Sequence, residues 1–290
     1  MLIDTHAHIN FNVYKSDADE VIRRSLDNNI WVINIGTNYE TSKRTVEIAQ
    51  KYPQGVFAAI GLHPIHLETG LVKIKNDTEE IEVRAREEEF DYEKYKDLAK
   101  SKGVVAIGEI GLDYYWKPKT TKKKELFKQK QKELLLKQLE LAKELNLPVI
   151  FHCRAAHDDL IDILNSQFLI HNSTKLDGVV HCFTGTQEQA KKYLDMGFFL
   201  GFNGIIFKLD LDEIIKNTPL EKILIETDCP YLTPPISVNQ RSYQRKSAST
   251  IRNEPIFVKY VVEKIAKIKN LSYDEITKIS TENAKKLFKI

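Results

Sequence analysis

The chain has 290 residues, of which 42% are hydrophobic and 29% charged, with a formal net charge of +2. These values exclude a disordered or fibrous chain, and no apolar run approaches the about 18 residues that a membrane span requires. A charge so near zero selects no partner class by itself.

The start, Met1 to His6, carries neither a basic nor an apolar signal region, so the chain is read as cytoplasmic. Short apolar runs then alternate with amphipathic patterns. The predicted strands are Leu2–His6, Trp31–Ile35, Val56–Ile60, Val104–Gly108, Pro148–His152, Gly178–Cys182, Phe198–Gly201 and Ile223–Glu226. Helical periodicity marks Asp17–Asn28, Tyr39–Lys51, Lys123–Leu145, Ala156–Leu164, Gln187–Met196 and Leu209–Lys216 between them, then Pro255–Lys267 and Ser272–Phe288 after the last strand. Fully apolar strands separated by helices imply parallel pairing with both faces covered. Eight such units in this length predict an α/β fold of the (β/α)8 TIM-barrel type. A doubly wound open sheet is the rival. With no repeat or linker, residues 1–290 read as a single barrel domain with a charged insertion around 76–95.

Charge is unevenly spread. Acidic residues dominate Asp77–Glu93 and lysines dominate Lys117–Lys132. Each run is most often a solvated face. Cys153, Cys182 and Cys229 are too few, and odd in number, for a disulfide framework. Each follows a candidate ligand on a strand, so each is expected to point outward as a small apolar filler.

The reactive residues fall at strand ends. His6 and His8 close the first strand, His63 follows the third, Glu109 and Asp113 the fourth, His152 and Arg154 the fifth, His181 the sixth and Asp228 the eighth. In barrel enzymes that rim carries the active site. His6 and His8 are two apart, so on a strand both imidazoles project to one side. Imidazole and carboxylate are the usual ligands of zinc, manganese, cobalt or nickel. Taken singly, each has an ordinary structural reading: a hydrogen-bonded histidine, a helix cap, a lysine partner. His157 and His171, in helical patterns, keep that reading, and His66 stays unassigned. Together, His6, His8, Glu109, His152, His181 and Asp228 exceed what one tetrahedral ion needs. They predict a metal-dependent hydrolase site with two divalent cations bridged by a carboxylate.

These residues sit in Asp4-Thr5-His6-Ala7-His8, Gly61-Leu62-His63-Pro64, Ile107-Gly108-Glu109-Ile110-Gly111-Leu112-Asp113-Tyr114, His152-Cys153-Arg154, His181-Cys182-Phe183-Thr184-Gly185 and Glu226-Thr227-Asp228-Cys229-Pro230-Tyr231-Leu232-Thr233-Pro234. Arg252-Asn253-Glu254-Pro255, Asn283-Ala284 and Leu287-Phe288 complete the set. The sequence resembles, from end to end, the TatD family of metal-dependent deoxyribonucleases in the amidohydrolase-like barrel superfamily. The charged stretch at Asn76–Tyr95 departs from the usual connection. The resemblance implies that His6, His8, Glu109 and Asp228 hold one metal and that Glu109, His152 and His181 hold the second. It further implies that His63 and Asp113 contact substrate or support the metal shell, and that Arg154 meets a phosphate.

The expected reaction is hydrolysis of DNA phosphodiester bonds by a two-metal-activated water. Asp228 would take or relay the proton. Glu109 would be shared by the ions, which Zn, Mn or Mg could supply, and His63 would stabilise the leaving oxygen. A 3′→5′ exonuclease of single-stranded DNA, in DNA repair or degradation, is what the resemblance implies. Lysines of 117–132 with Arg241, Arg245, Lys246 and Arg252 are read as rim cations tracking a backbone. Tyr114, Tyr115, Trp116 and Tyr243 are read as bases' stacking partners. No membrane and no obligate protein partner is expected. The alternative is hydrolysis of another ester or amide, such as D-aminoacyl-tRNA deacylation, and a non-catalytic metal-binding scaffold is the third reading.

Overall fold

The computed structural model describes residues 1–67, 88–115, 117–170, 176–235 and 252–290. Eight strands follow in chain order: β1 (Leu2–Ala7), β2 (Ile30–Ile35), β3 (Val56–Ile60), β4 (Val104–Asp113), β5 (Val149–Arg154), β6 (Gly178–Val180), β7 (Phe199–Phe202) and β8 (Ile223–Ile225). Each pairs in parallel with the next, in the order β1-β2-β3-β4-β5-β6-β7-β8. Beyond β8 the Ala7–Cys229 bridge joins the last strand's extension to the first, so the barrel is nearly closed. All eight predicted strands are present. β4 runs five residues further than its apolar core, through Glu109 to Asp113.

The helices are α1 (Ala18–Asp27), α2 (Tyr39–Lys51), α3 (Tyr92–Ala99), α4 (Thr121–Leu145), α5 (His157–Ile170), α6 (Gln187–Asp195), α7 (Asp212–Asn217), α8 (Val258–Lys269) and α9 (Tyr273–Phe288). Part of the expected insertion is therefore regular: Tyr92–Tyr95 opens α3, which an Asp91 side-chain cap starts and a Lys96–Glu144 ion pair ties to α4. Residues 76–87 lie outside the described residues. No helix among the described residues is long and apolar enough to cross a membrane.

The barrel interior is filled by Ile3, Ile33, Ala59, Val105, Ile150, Val179, Phe199 and Leu224, one or more from each strand. Leu287 and Phe288 of α9 join this cluster and close one end. That stopper leaves the strands' C-terminal ends as the open mouth. On an unbroken β1, Ile3 and His6 would face opposite sides, because side chains alternate. A register shift between Asp4 and Ala7 breaks the alternation. It lets the same strand fill the core below and present His6 above.

Candidate metal centre

The strand ends bring His6, His8, Glu109, His152, His181 and Asp228 together, as the sequence predicts. Glu109 lies at the middle. Its Oε2 is 3.5 Å from His6 Nε2 and 3.7 Å from His8 Nε2. Its Oε1 is 2.7 Å from His152 Nδ1 and 2.8 Å from His181 Nε2. Asp228 Oδ1 completes the first group, 3.5 Å from His8 Nε2 and 3.8 Å from His6 Nε2. The His6 and His8 Nε2 atoms are 3.2 Å apart, and the His6 and His181 rings stack at 3.9 Å.

This donor set fits divalent cations. Ligands held about 2.0–2.1 Å from a tetrahedral ion are separated by about 3.3–3.4 Å. The spacings among His6, His8, Glu109 Oε2 and Asp228 run from 3.2 to 3.8 Å, near or slightly above that value, whereas the Glu109 Oε1 contacts with His152 and His181, at 2.7 and 2.8 Å, are direct hydrogen bonds. The tautomer fits too. His8 Nδ1 donates to the Ile35 carbonyl at 3.0 Å, so it is Nε2 that faces the group and, once deprotonated, would offer its lone pair to a cation.

His63 is placed at the same centre with the opposite polarity. The Ile65 N–H donates to His63 Nδ1 at 3.0 Å, so a neutral ring carries its proton on Nε2, 3.4 Å from Glu109 Oε1. Burial, then the His152 charge, lowers its pKa and keeps it neutral. His63 therefore presents an N–H donor rather than a ligand lone pair. Asp113 backs His152: its Oδ2 is 3.2 Å from His152 Nε2, and its Oδ1 accepts the Tyr115 N–H at 2.9 Å.

The electrostatics follow from crowding. Burial opposes charge on Glu109, but the His181 charge and the hydrogen bonds from His152 and His181 outweigh it and hold the carboxyl well below its usual range. Burial also works against Asp228, where a hydrogen bond to His8 and the His181 charge prevail and keep it ionised. Burial pulls His152 down, yet Asp113 and Glu109 raise it to about 9. His6 is lowered by burial and by His181. Asp228 has φ 56, a left-handed backbone rarely adopted by non-glycine residues and one that clusters at functional sites.

Two buried acids escaped assignment from sequence. Glu226 Oε1 accepts the Cys182 N–H at 2.7 Å and the Asn203 amide at 3.0 Å, and makes an ion-pair contact of 3.4 Å with His181 Nδ1. A Cβ at Gly201 would lie 2.6 Å from Glu226 Oε2, so glycine there makes room for the acid. Asp4 accepts the Thr227 N–H and O–H at 2.8 and 2.6 Å and so moors the Asp228 turn to β1. Both acids lie beside candidate ligands, and adjacency in sequence was their only signal.

Some expected rim groups prove to be structural. Arg252 donates to Asp17 at 2.7 and 3.1 Å and to the Val13 carbonyl, and lies over the Tyr14 ring, so it is a structural cation rather than a backbone-tracking one. Tyr114 is buried with its hydroxyl on Asp159 at 2.8 Å, which removes it as a stacking surface. Tyr115 is 54% exposed, and the exposed Arg154 guanidinium lies 3.7 Å over its ring. The lysine run begins at the mouth, but from Thr121 it is the outer face of α4, whose first turn holds Lys122, Lys123 and Lys124 and no acid. The three cysteines are free, as expected, although Cys182 and Cys229 lie just past their strands. His157 bonds Tyr193 inside the helix layer, in keeping with its structural reading. Trp116, His171, Arg241, Tyr243, Arg245 and Lys246 lie outside the described residues.

Comparison with known proteins matches residues 3–289 to the family of TatD related DNases. The chain belongs to the TatD family of metal-dependent hydrolases. It is 39% identical over 294 residues to YabD of Bacillus subtilis, described as an uncharacterized metal-dependent hydrolase, with 100% of both chains covered. It is 30% identical to a TatD of Pantoea ananatis described as a 3′-5′ ssDNA/RNA exonuclease, over 99% of each chain. The crystal structure of the Escherichia coli TatD homologue YjjV superposes with a TM-score of 0.77 at 27% identity, covering 100% of this chain and 98% of that one.

Proposed function

We propose that this TatD-family hydrolase, acting as a single barrel domain in the cytoplasm, cleaves phosphodiester bonds of single-stranded DNA in the 3′→5′ direction. The observation that carries the reading is the divided carboxylate of Glu109, with one oxygen facing His6 and His8 and the other facing His152 and His181. That arrangement suits a ligand shared between two ions. His6, His8, Glu109 and Asp228 would hold one, and Glu109, His152 and His181 the other. Divalent cations bound there supply charge neutralisation for a phosphoryl group and acidify a water toward a pKa of about 7.

The chain's own residues do the rest. Asp228, ionised and at the edge of the group, takes the proton of the attacking water. His63 points a neutral Nε2–H into the site and stabilises the oxygen on which charge develops, as a fixed donor does. Asp113 holds His152 in one orientation. Arg154, spread on Tyr115, meets a flanking phosphate while the tyrosine offers a base its ring. Lys122–Lys124 stand where a helix dipole disfavours cations, a local cost that a polyanionic substrate would offset.

The test is degradation of end-labelled single-stranded DNA with Mg²⁺ or Mn²⁺, with EDTA, and with the Glu109→Ala variant. Stepwise shortening from the 3′ end that EDTA and the variant abolish is the expected result. A metal-loaded wild type that leaves the DNA intact overturns the nuclease reading. Activity on an aminoacyl-tRNA ester would then move it to deacylation.

A further inference from the structure

β3 and β4 part company at the mouth. Their last paired residues are Ile60 and Ile107, yet β4 continues to Asp113 with β5 as its partner on the other side. Backbone groups past that point face the gap between the diverging strands, and buried peptide groups need partners. Two glutamines of α4 supply them. Gln138 Oε1 accepts the Leu62 N–H at 2.8 Å and its Nε2 donates to the Leu62 carbonyl at 2.9 Å. Gln131 does the same for Asp113, at 2.8 and 2.9 Å. Each side chain mimics the missing strand by pairing with both groups of one residue.

Both glutamines are fully buried among Leu134, Leu135 and Leu139. An amide in such a setting is unfavourable unless fully paired. Seven residues separate the two, close to two helical turns, so they lie on one face about 10.5 Å apart along the axis. The residues they hold sit at the metal centre. Asp113 backs His152, and Leu62 precedes His63, the neutral donor.

We propose that Gln131 and Gln138 are positioning residues of this site, fixing its ligand side and its donor side separately. The inference rests on the two-ion reading above. Gln131 acts through Asp113 on His152 and so governs metal affinity. Gln138 acts through Leu62 on His63, which the proposed partition leaves outside both cation sites, and so governs turnover.

The probe is Co²⁺, titrated into metal-free protein by chelator competition, with its visible absorption recorded and kcat and KM measured on a single-stranded oligonucleotide. Gln131→Met, of similar shape, is expected to lose about 10–100-fold in Co²⁺ affinity and to change the absorption band. Gln138→Met is expected to keep wild-type affinity and band while kcat falls, up to about 100-fold, with KM held. Gln131→Glu keeps an acceptor for the Asp113 N–H and should recover part of the affinity. It carries the same test if Gln131→Met fails to fold. Leu135→Ala, buried on the same helix with an apolar side chain that can hydrogen-bond neither rim peptide, should lower the melting temperature and leave Co²⁺ affinity alone. Wild-type affinity in Gln131→Met, or an equal loss in Leu135→Ala, overturns the inference while the two-ion reading stands. A wild type that takes up no Co²⁺ overturns both.

Discussion

Glu226→Ala separates the support of the metal centre from its ligands. The acid is 1% exposed, and its Oε1 is the acceptor for both the Cys182 N–H and the Asn203 amide. Truncation leaves two buried donors without that acceptor, at about 1–3 kcal/mol each, so the metal-free protein should lose about 2–6 kcal/mol. At about 2 °C per kcal/mol for a chain of this size, the melting temperature falls by roughly 4–12 °C. Release of His181 adds a loss of about 10–100-fold in metal affinity, or about 1.4–2.7 kcal/mol. Glu226→Gln keeps the accepting oxygen, so its melting should stay within about 1 kcal/mol of wild type. The assay is thermal and urea unfolding in EDTA, followed by metal titration of both variants. An alanine variant that melts with the wild type refutes the reasoning, and so does a glutamine variant that melts as low as alanine.

Three more outcomes follow from the same geometry. His152, raised to about 9 in the metal-free protein, holds a proton at pH 7 that a neutral ligand must shed. Metal uptake should therefore release protons, seen as buffer-dependent heats in calorimetry, and apparent affinity should climb with pH between 6 and 9. Affinity flat between pH 6 and 9 contradicts this. His63→Ala should retain both metals by elemental analysis and lose about 10²–10³ in kcat, as removal of a fixed donor does. Arg154→Ala should weaken binding of single-stranded DNA and reduce the slope of log affinity against log salt by about 0.7, the share of one phosphate contact. An unchanged slope removes Arg154 from the backbone.

The fold was legible because parallel strands covered on both faces must be apolar throughout, and helix periodicity fills the gaps between them. The extension of β4 was not, since the apolar run that marks the strand ends at Gly108, before Glu109 and Gly111. Gly111 is there for a different reason: its φ is +149, and a Cβ would fall 1.9 Å from the His152 carbonyl. α3 was submerged in a charged run whose sign pattern hid its start at Tyr92. The candidate ligands stood out because histidines and carboxylates recur where strands end. Their supports did not. Gln131 and Gln138 look like any polar residues of a long amphipathic helix until their partners are known, and Glu226 looks like a neighbour of Asp228. Arg252 was misjudged because position along a chain gives the end of a loop, not the acid a side chain will meet. Asp17 lies 235 residues away.

The central claim is that Glu109 joins two cation sites. Equilibrium dialysis of wild type and Glu109→Gln against Mn²⁺ or Zn²⁺, with elemental analysis of the retained metal, tests it most directly. The account predicts two ions per chain in the wild type and loss of both tight sites in the variant, because one side chain serves each. One ion in the wild type, or two retained by the variant, would contradict it.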